Sequence, residues 1–144
     1  MKAISLWQPW ASLMAAGLKT IETRSWPANY AGPLAIHAAK RQLTGEEKDL
    51  LDDWIEKGLL NSGDWTFLRL PFGEIIAVVD LVRCERTTAM SIAPDSQNAA
   101  FGNFAPGRWA WFTRNARRLP QPIPYRGMQG LFWIPDSVMD RAEE

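Results

Sequence analysis

The stretch WQPWASLMAAGLKTIETRSW, residues 7–26, determines how the fold begins. Pro9 suits the first turn of a helix, because its missing N–H costs nothing there, and apolar residues then recur at helical spacing. Gly17 is typical of a position at which a helix stops. The stretch therefore predicts a short helix over residues 9–16, followed by a strand over residues 20–26.

Periodicity outside this stretch predicts the remaining elements. The run GEIIAVVDLV, residues 73–82, is almost continuously apolar, which is typical of a central strand, and pairing is expected to extend to about residue 86. Thr44 and Glu47 fit a capping box at the start of a helix. The other predicted elements are strands over 2–7, 32–39, 108–114 and 131–134, helices over 44–60 and 135–144, and a long connection over 87–106.

The order of these elements, β-α-β-β-α-β-β-β, indicates an α+β fold. About six strands with two main helices predict a sheet that curls into a small barrel, with the helices plugging its end. The proline-rich segment 119–124 is expected at an edge or in a crossing, because proline cannot donate to a sheet ladder. We expect a single domain over residues 1–144, because the chain has neither a repeat nor a linker.

Composition limits the chemistry that the chain can perform. Cys84 is the only cysteine and excludes an intramolecular disulfide; with His37, the only histidine, it supplies at most half of a tetrahedral zinc site. We therefore expect no metal and no cofactor. No run approaches the roughly 18 apolar residues that span a membrane, and Gln8-Pro9 interrupts the apolar start. The sequence predicts a soluble, cytoplasmic protein.

Charge is segregated along the chain although the net charge is zero. Residues 1–45 carry five basic side chains and one acid, and residues 96–135 carry five arginines and no acid. The acids concentrate in residues 46–95 and 136–144. If this segregation persists on the surface, one face is basic and attracts phosphates. If folding interleaves the blocks, no such face exists.

The segment after the first helix holds the strongest candidates for a functional site. Glu22 and Arg24 lie two residues apart on a predicted strand and therefore point to the same face, and Lys19 lies at the turn before them. A carboxylate between two cations can stay ionised and accept a hydrogen bond from a base edge or a water, while the cations meet phosphates or a carbonyl. The alternative is a structural salt bridge.

Several separated motifs resemble the ASCH domain family, which takes its name from the activating signal cointegrator of eukaryotes. They are WQPWAS at 7–12, Gly-x-Lys-x-x-Glu-x-Arg at 17–24, AIHAA at 35–39, GEIIAVVD at 73–80 and WAW at 109–111. The resemblance covers most of the chain. It implies a PUA-like β-barrel whose cleft is lined by residues 17–24, and a partner that is RNA or, as in the cointegrator, DNA. A protein-interaction domain that has lost the pocket is a further alternative.

The resemblance also implies an enzyme alternative. Some short bacterial relatives resemble amidohydrolases that deacylate N4-acylcytidine nucleosides with a lysine, a threonine three residues later and a glutamate. Lys19 matches the lysine, but Glu22 occupies the threonine position, and Thr23 is expected on the opposite face. If this chain is a hydrolase, we expect Lys19 and Glu22 to activate a water. Other relatives resemble metal-dependent ribonucleases, which this chain matches less well because its basic segments lack a carboxylate cluster.

Further candidates for ligand binding surround the central motif. Trp26 shares a predicted face with Glu22 and Arg24 and is the expected stacking platform, whereas Trp10 is expected in the core or at the cleft wall. The segment from Arg108 to Arg126 mixes arginines with aromatic residues, which is typical either of a groove that follows phosphates or of a barrel strand with solvated arginines. The two remaining candidates are ambiguous. Gln8 reads a base edge or caps the helix, and His37 lines the cleft or is a hydrogen-bonded histidine of the barrel.

Overall fold

The computed structural model describes residues 1–93 and 96–143 of the chain. The strands are β1 Lys2–Leu6, β2 Ile21–Arg24, β3 Gly32–Ala38, β4 Glu74–Arg86, β5 Trp109–Pro124 and β6 Leu131–Trp133. The helices are α1 Trp10–Ala15, α2 Gly45–Glu56, α3 Gln97–Phe101 and α4 Asp136–Met139, with 3-10 turns at Thr87–Ala89 and Asp140–Glu143.

One six-stranded sheet forms the framework, in the order β2-β5-β4-β3-β1-β6. β1 and β3 pair in parallel and the other neighbours pair antiparallel. The β4–β5 register shifts at three places, and such bulges bend a strand and increase its twist. The sheet therefore curls into a half-barrel, which confirms the predicted α+β fold with about six strands.

Three clusters of buried apolar side chains stabilise this arrangement. The first joins β1, β3 and β4 to Met14 of α1 and Trp111 of β5. The second joins Leu13 of α1 to Trp54 of α2 and Phe101 of α3. The third covers the other face of the sheet with residues of β5, β6 and α4. Because α1 contributes to the first two clusters, its C-terminal end is held firmly between the sheet and the outer helices.

Several predicted boundaries were wrong for local reasons. α2 ends at Glu56 and not at residue 60, because Gly58 adopts a left-handed φ of 77° that breaks the helix. The long connection contains the short helix α3, whose N-cap Ser96 accepts a hydrogen bond from the Ala99 amide. The C-terminal helix is confirmed as α4 and a 3-10 turn up to residue 143; its predicted end, Glu144, lies outside the described residues.

The proline-rich segment 119–124 belongs to β5 and not to a separate crossing. Residues 119–122 all lie opposite a single β4 residue, Ile76, because the register passes from the Ile75–Ile123 pair to the Ala77–Arg118 pair. β2 pairs only with residues 109–112 of β5. Pro120 and Pro122 therefore stand in a bulged part of the strand, and the segment has no described second neighbour strand, so the edge expectation is confirmed.

His37 is a buried barrel histidine and does not face the segment around Lys19. Ser5 donates its hydroxyl proton to Nδ1 over 2.9 Å, and Nε2 donates to the Tyr125 carbonyl over 2.6 Å, which fixes the neutral tautomer. The register shifts between Ile36 and His37. Burial lowers the pKa of His37 below its usual 6.5, against the opposing effect of the Tyr125 hydrogen bond.

This lowered pKa makes the stability of the fold sensitive to mild acid. The unfolded chain binds a proton at a higher pH than the folded chain does. The stabilising contribution is therefore complete above about pH 6.5 and is lost as the pH falls through the folded pKa. We expect the free energy of unfolding to fall between pH 7.5 and 5.5 in urea titrations. The fall should be smaller in His37→Gln, which is the only histidine change available; an equal fall in both proteins would contradict this account.

Candidate functional site

A cavity of about 320 Å³, called the Lys19 cavity below, opens where α1, α2, α3 and β2 meet. Charged side chains and aromatic side chains line it together, and they come from distant parts of the sequence. The charged group is Lys19, Glu22, Arg24 and Arg108. The aromatic group is Trp7, Trp10, Trp54 and Phe101.

Lys19 reaches the interior because the chain turns sharply at the end of α1. Gly17 has a left-handed φ of 73°, and the amides of Leu18 and Lys19 both donate to the Leu13 carbonyl. Only 2% of Lys19 is exposed. Its Nζ donates to the Ile21 carbonyl over 2.6 Å and to Glu22 Oε1 over 3.0 Å. A nearly buried ammonium is thus held by two acceptors, one of them anionic.

Burial lowers the pKa of Lys19 below its usual 10.5. Glu22 acts in the opposite direction through its charge and hydrogen bond, whereas the positive charges of Arg24 and Arg108 lower the pKa further. An amine in this environment loses its proton more readily than an exposed lysine. Lys19 can therefore serve as a cation in one state and as a base in the other.

Glu22 connects Lys19 to the second cation of the motif. Its Oε1 also accepts the Thr23 amide over 2.9 Å, and its Oε2 lies 3.7 Å from Nη2 of Arg24. That same Nη2 donates to the Ser5 carbonyl. The Nε of Arg24 is buried and has no hydrogen-bond partner among the described residues. An unpaired buried donor is unfavourable by about 1–3 kcal/mol.

Arg108 adds a third cation from the chain just before β5. Its Nη2 donates to the Thr23 carbonyl over 2.9 Å, and its Nε donates to the Thr23 hydroxyl over 3.3 Å. Thr23, which the strand pattern places on the face opposite Glu22, also lines the cavity. The Thr23 hydroxyl already accepts a hydrogen bond from Arg108.

The aromatic wall depends on α3, within the long connection. Asn98 accepts from the amides of Thr20 and Ile21 and donates to the Thr20 hydroxyl, which holds α3 against the start of β2. Trp10 Nε1 donates to the Phe101 carbonyl over 3.0 Å. Edge-to-face contacts then link the rings from Trp10 to Trp54 and from Trp54 to Phe101.

Trp7 is the exposed member of the wall, with 57% of its surface accessible. The guanidinium of Arg41 lies 3.8 Å from its ring centroid, and Glu47 binds that guanidinium at 2.7 Å. Trp7, Phe101 and Asn98 were not among the residues predicted for the site. A tryptophan at the end of a strand beside the motif was the one available indication, since Arg41 and α3 approach only in the folded chain.

Five of the eight residues predicted for the site line the Lys19 cavity, and three do not. Gln8 is buried and caps α1, since its Oε1 accepts the Ser12 amide. Trp26 packs edge-to-face against Trp111 at 4.8 Å, because β2 ends at Arg24 and the strand alternation stops there. His37 lines a different cavity. The five lining residues are Trp10, Lys19, Glu22, Arg24 and Arg108.

The described ranges, 1–93 and 96–143, show neither a metal-binding cluster nor a helix that could span a membrane. No cluster of three or more His, Cys, Asp or Glu side chains in them could hold a metal ion. No helix in this part of the chain is long and apolar enough to cross a membrane. Cys84 is half-buried, and burial raises the pKa of its thiol, which makes it a weaker nucleophile.

The curled six-stranded sheet and the cavity at its helical end define a PUA-like domain. The family model described as "ASCH domain" matches residues 4–122. This chain belongs to the ASCH domain family.

Two relatives of known name extend this result. Activating signal cointegrator 1 of Mus musculus is 35% identical over 143 residues, which are 98% of this chain and 23% of that protein. The protein of the same name from Homo sapiens is 35% identical over 82 residues, or 56% of this chain and 14% of that protein. The matched residues thus make up about a quarter of the mouse protein and a smaller share of the human protein.

Solved structures support the fold independently. The crystal structure of ASCH from Zymomonas mobilis aligns with a TM-score of 0.57 at 14% sequence identity, covering 97% of this chain and 91% of that one. Two variants of the same protein align with TM-scores of 0.55 and 0.56. At this identity the likeness concerns the fold alone.

The contact between Lys19 and Glu22 leads to a prediction about stability. Lys19→Met should lower the free energy of unfolding by about 3 kcal/mol, because it leaves a partly buried carboxylate without its nearest cation. Lys19→Met with Glu22→Gln should cost less than the sum of the single changes, with a coupling of roughly 1–3 kcal/mol in a urea double-mutant cycle.

The matched control is Lys57→Met, since Lys57 forms an exposed pair with Asp53 at 2.9 Å. We expect that change to stay within about 0.5 kcal/mol. Strictly additive effects of the Lys19 and Glu22 changes would show that the two side chains do not depend on each other.

Proposed function

We propose that this domain binds RNA, or a modified nucleobase within it, through the Lys19 cavity. The observation that supports this proposal is the convergence of three cations, one carboxylate and an aromatic wall on one small cavity. Its volume of about 320 Å³ lies at the lower end of the range for small-ligand sites. A cavity of this size suits one base or nucleoside and not a duplex.

Each group of the cavity has a part in such binding. The exposed ring of Trp7 offers a stacking surface, and stacking tolerates every base. Glu22 can accept an N–H from a base edge, and the guanidinium of Arg24, which lines the cavity, can donate to a neighbouring base acceptor. Arg108 and Arg24 attract the phosphates that flank the base. The Glu22 carboxylate distinguishes this cavity from a site that binds only phosphate, because a carboxylate repels a phosphate but accepts an N–H from a base.

The family supports a nucleic-acid partner in general terms. RNA is the partner that we propose, and DNA is the alternative that the cointegrator relatives keep open. A cytoplasmic location belongs to the same proposal, because RNA is abundant in the cytoplasm.

A second candidate function rests on the lowered pKa of Lys19, whose Nζ lies 3.0 Å from Glu22 Oε1. A neutral amine in the cavity could accept a proton from a water that attacks the acyl carbon of an N4-acylcytidine. The C–N bond then breaks, the proton passes to the leaving amine, and a carboxylic acid and cytidine are released. Glu22 would hold the protonated amine that forms during the attack.

The binding proposal predicts a selective effect of the exposed tryptophan. Trp7→Ala should weaken binding of a fluorescent single-stranded RNA 12-mer by about 1–3 kcal/mol, roughly 5- to 150-fold, in fluorescence anisotropy titrations. Trp133→Ala is the matched control, because Trp133 is 63% exposed and does not line the cavity. The control should bind like the unchanged protein; equal losses in both variants, or none in Trp7→Ala, would argue against the cavity.

The same preparation decides between binding and hydrolysis. Incubation with N4-acetylcytidine, followed by chromatography, should leave the nucleoside intact if the domain only binds. Release of cytidine that Lys19→Met abolishes and Trp133→Ala retains would establish the hydrolase instead.

A further inference from the structure

A second cavity, of about 800 Å³ and called the Lys40 cavity below, is lined by residues of β1, of β3 and of the chain that follows β5. Ser5 lines the Lys40 cavity, whereas Leu6 and Trp7 line the Lys19 cavity. Ser5 and Trp7 are two residues apart, which is roughly 7 Å along a strand. A single strand of a few nucleotides that is bound at one cavity therefore reaches the other.

The Lys40 cavity is positively charged and lacks a compensating acid. Lys40 and Arg126 are its charged lining residues, and both are exposed. Neither forms an ion pair with any described residue. An ammonium and a guanidinium at one concave surface are the side chains with which proteins hold phosphate groups.

Hydrogen bonds and close packing hold the floor of the Lys40 cavity on both sides of Arg126. His37 holds Ser5 through Nδ1 and the Tyr125 carbonyl through Nε2. Gly127 lies so close to this pair that an added Cβ would stand 2.7 Å from His37 Cε1 and 2.9 Å from Ser5 Oγ. Arg126 therefore lies between two anchored neighbours. His37 acts here as a positioning residue, because both of its nitrogens are already occupied.

A stacked pair connects the two cavities across the surface. Arg41 covers the ring of Trp7 at 3.8 Å, and its chain neighbour Lys40 lines the second cavity. Arg24, Arg41, Lys40 and Arg126 thus form a path of cations from one cavity to the other. Glu47 partly neutralises Arg41, which leaves Lys40 and Arg126 as the fully uncompensated charges of the path.

We propose that the Lys40 cavity binds a backbone phosphate of the same single-stranded RNA whose base occupies the Lys19 cavity. This inference rests on the proposed function and adds to it the direction of the bound strand, along β1 and over Trp7. Lys40 and Arg126 supply the charge, and neither reads a base. The partner is therefore an extended strand of several nucleotides and not an isolated nucleoside.

The test compares two charge-matched double variants in RNA binding at several salt concentrations. Lys40→Ala with Arg126→Ala should reduce the magnitude of the slope of log K against log salt by about 0.7, the contribution of the one phosphate that both side chains neutralise. Lys57→Ala with Arg117→Ala changes the net charge equally outside both cavities, and its slope should match that of the unchanged protein. All four residues are exposed, and thermal unfolding checks that both variants fold.

The outcomes distinguish a failure of this inference from a failure of the proposed function. An unchanged slope in Lys40→Ala with Arg126→Ala, while Trp7→Ala still weakens RNA binding, overturns the Lys40 cavity and leaves the proposed function in place. An equal loss in the control pair shows a general effect of charge and also overturns it. If inorganic phosphate binds the Lys40 cavity in calorimetry but the RNA slope is unchanged, the site takes free anions and the RNA assignment is wrong. If the unchanged protein does not bind the 12-mer, both proposals fall.

Discussion

The nearly buried ammonium of Lys19 is the interaction on which the candidate site depends. The left-handed turn at Gly17 directs the side chain inward, where the Ile21 carbonyl and Glu22 receive it. Glu22 in turn lies near Arg24, and Arg24 reaches the Ser5 carbonyl of β1. One chain of polar contacts therefore ties the end of α1 to β2 and to the sheet. Without the ammonium, a carboxylate would remain near the interior without its closest partner.

This constraint explains why a chain with no net charge can present a charged cavity. Lys19 and Glu22 largely compensate each other, so the cavity tolerates their burial. Arg24 and Arg108 remain beside them as cations that the single carboxylate does not balance. The aromatic wall then lowers the exposure of the charges to water and strengthens their effect on a ligand. Charge and apolar surface are both needed for a cavity that holds a base.

The sequence was sufficient to predict the fold class from its periodicity and the family from its separated motifs. Local rules also placed together residues that line the Lys19 cavity: Gly17 ends a helix, and alternation on one short strand places Glu22 beside Arg24. The prediction for Trp26 was wrong because the same alternation stops at the end of β2. Strand alternation predicts which face a side chain lies on only within the strand itself.

The remaining parts of the site come from contacts between distant residues. Asn98 holds α3 against residues 20 and 21, and Arg41 covers Trp7. Neither contact follows from periodicity, because both join segments more than 30 residues apart. His37 shows the converse case. Its strand position was predicted, but the pairing of β1 with β3 placed it beside Ser5, in the other cavity.

The most direct test of this account is an NMR titration of the Lys19 side chain. In protein labelled with 13C at lysine Cε, the resonance that disappears in Lys19→Met reports the protonation of Lys19. We predict that this resonance titrates at a pH below 10.5, because burial outweighs the attraction of Glu22. The exposed Lys57 serves as the internal comparison. A Lys19 resonance that titrates at or above 10.5 would contradict the burial on which the site is built.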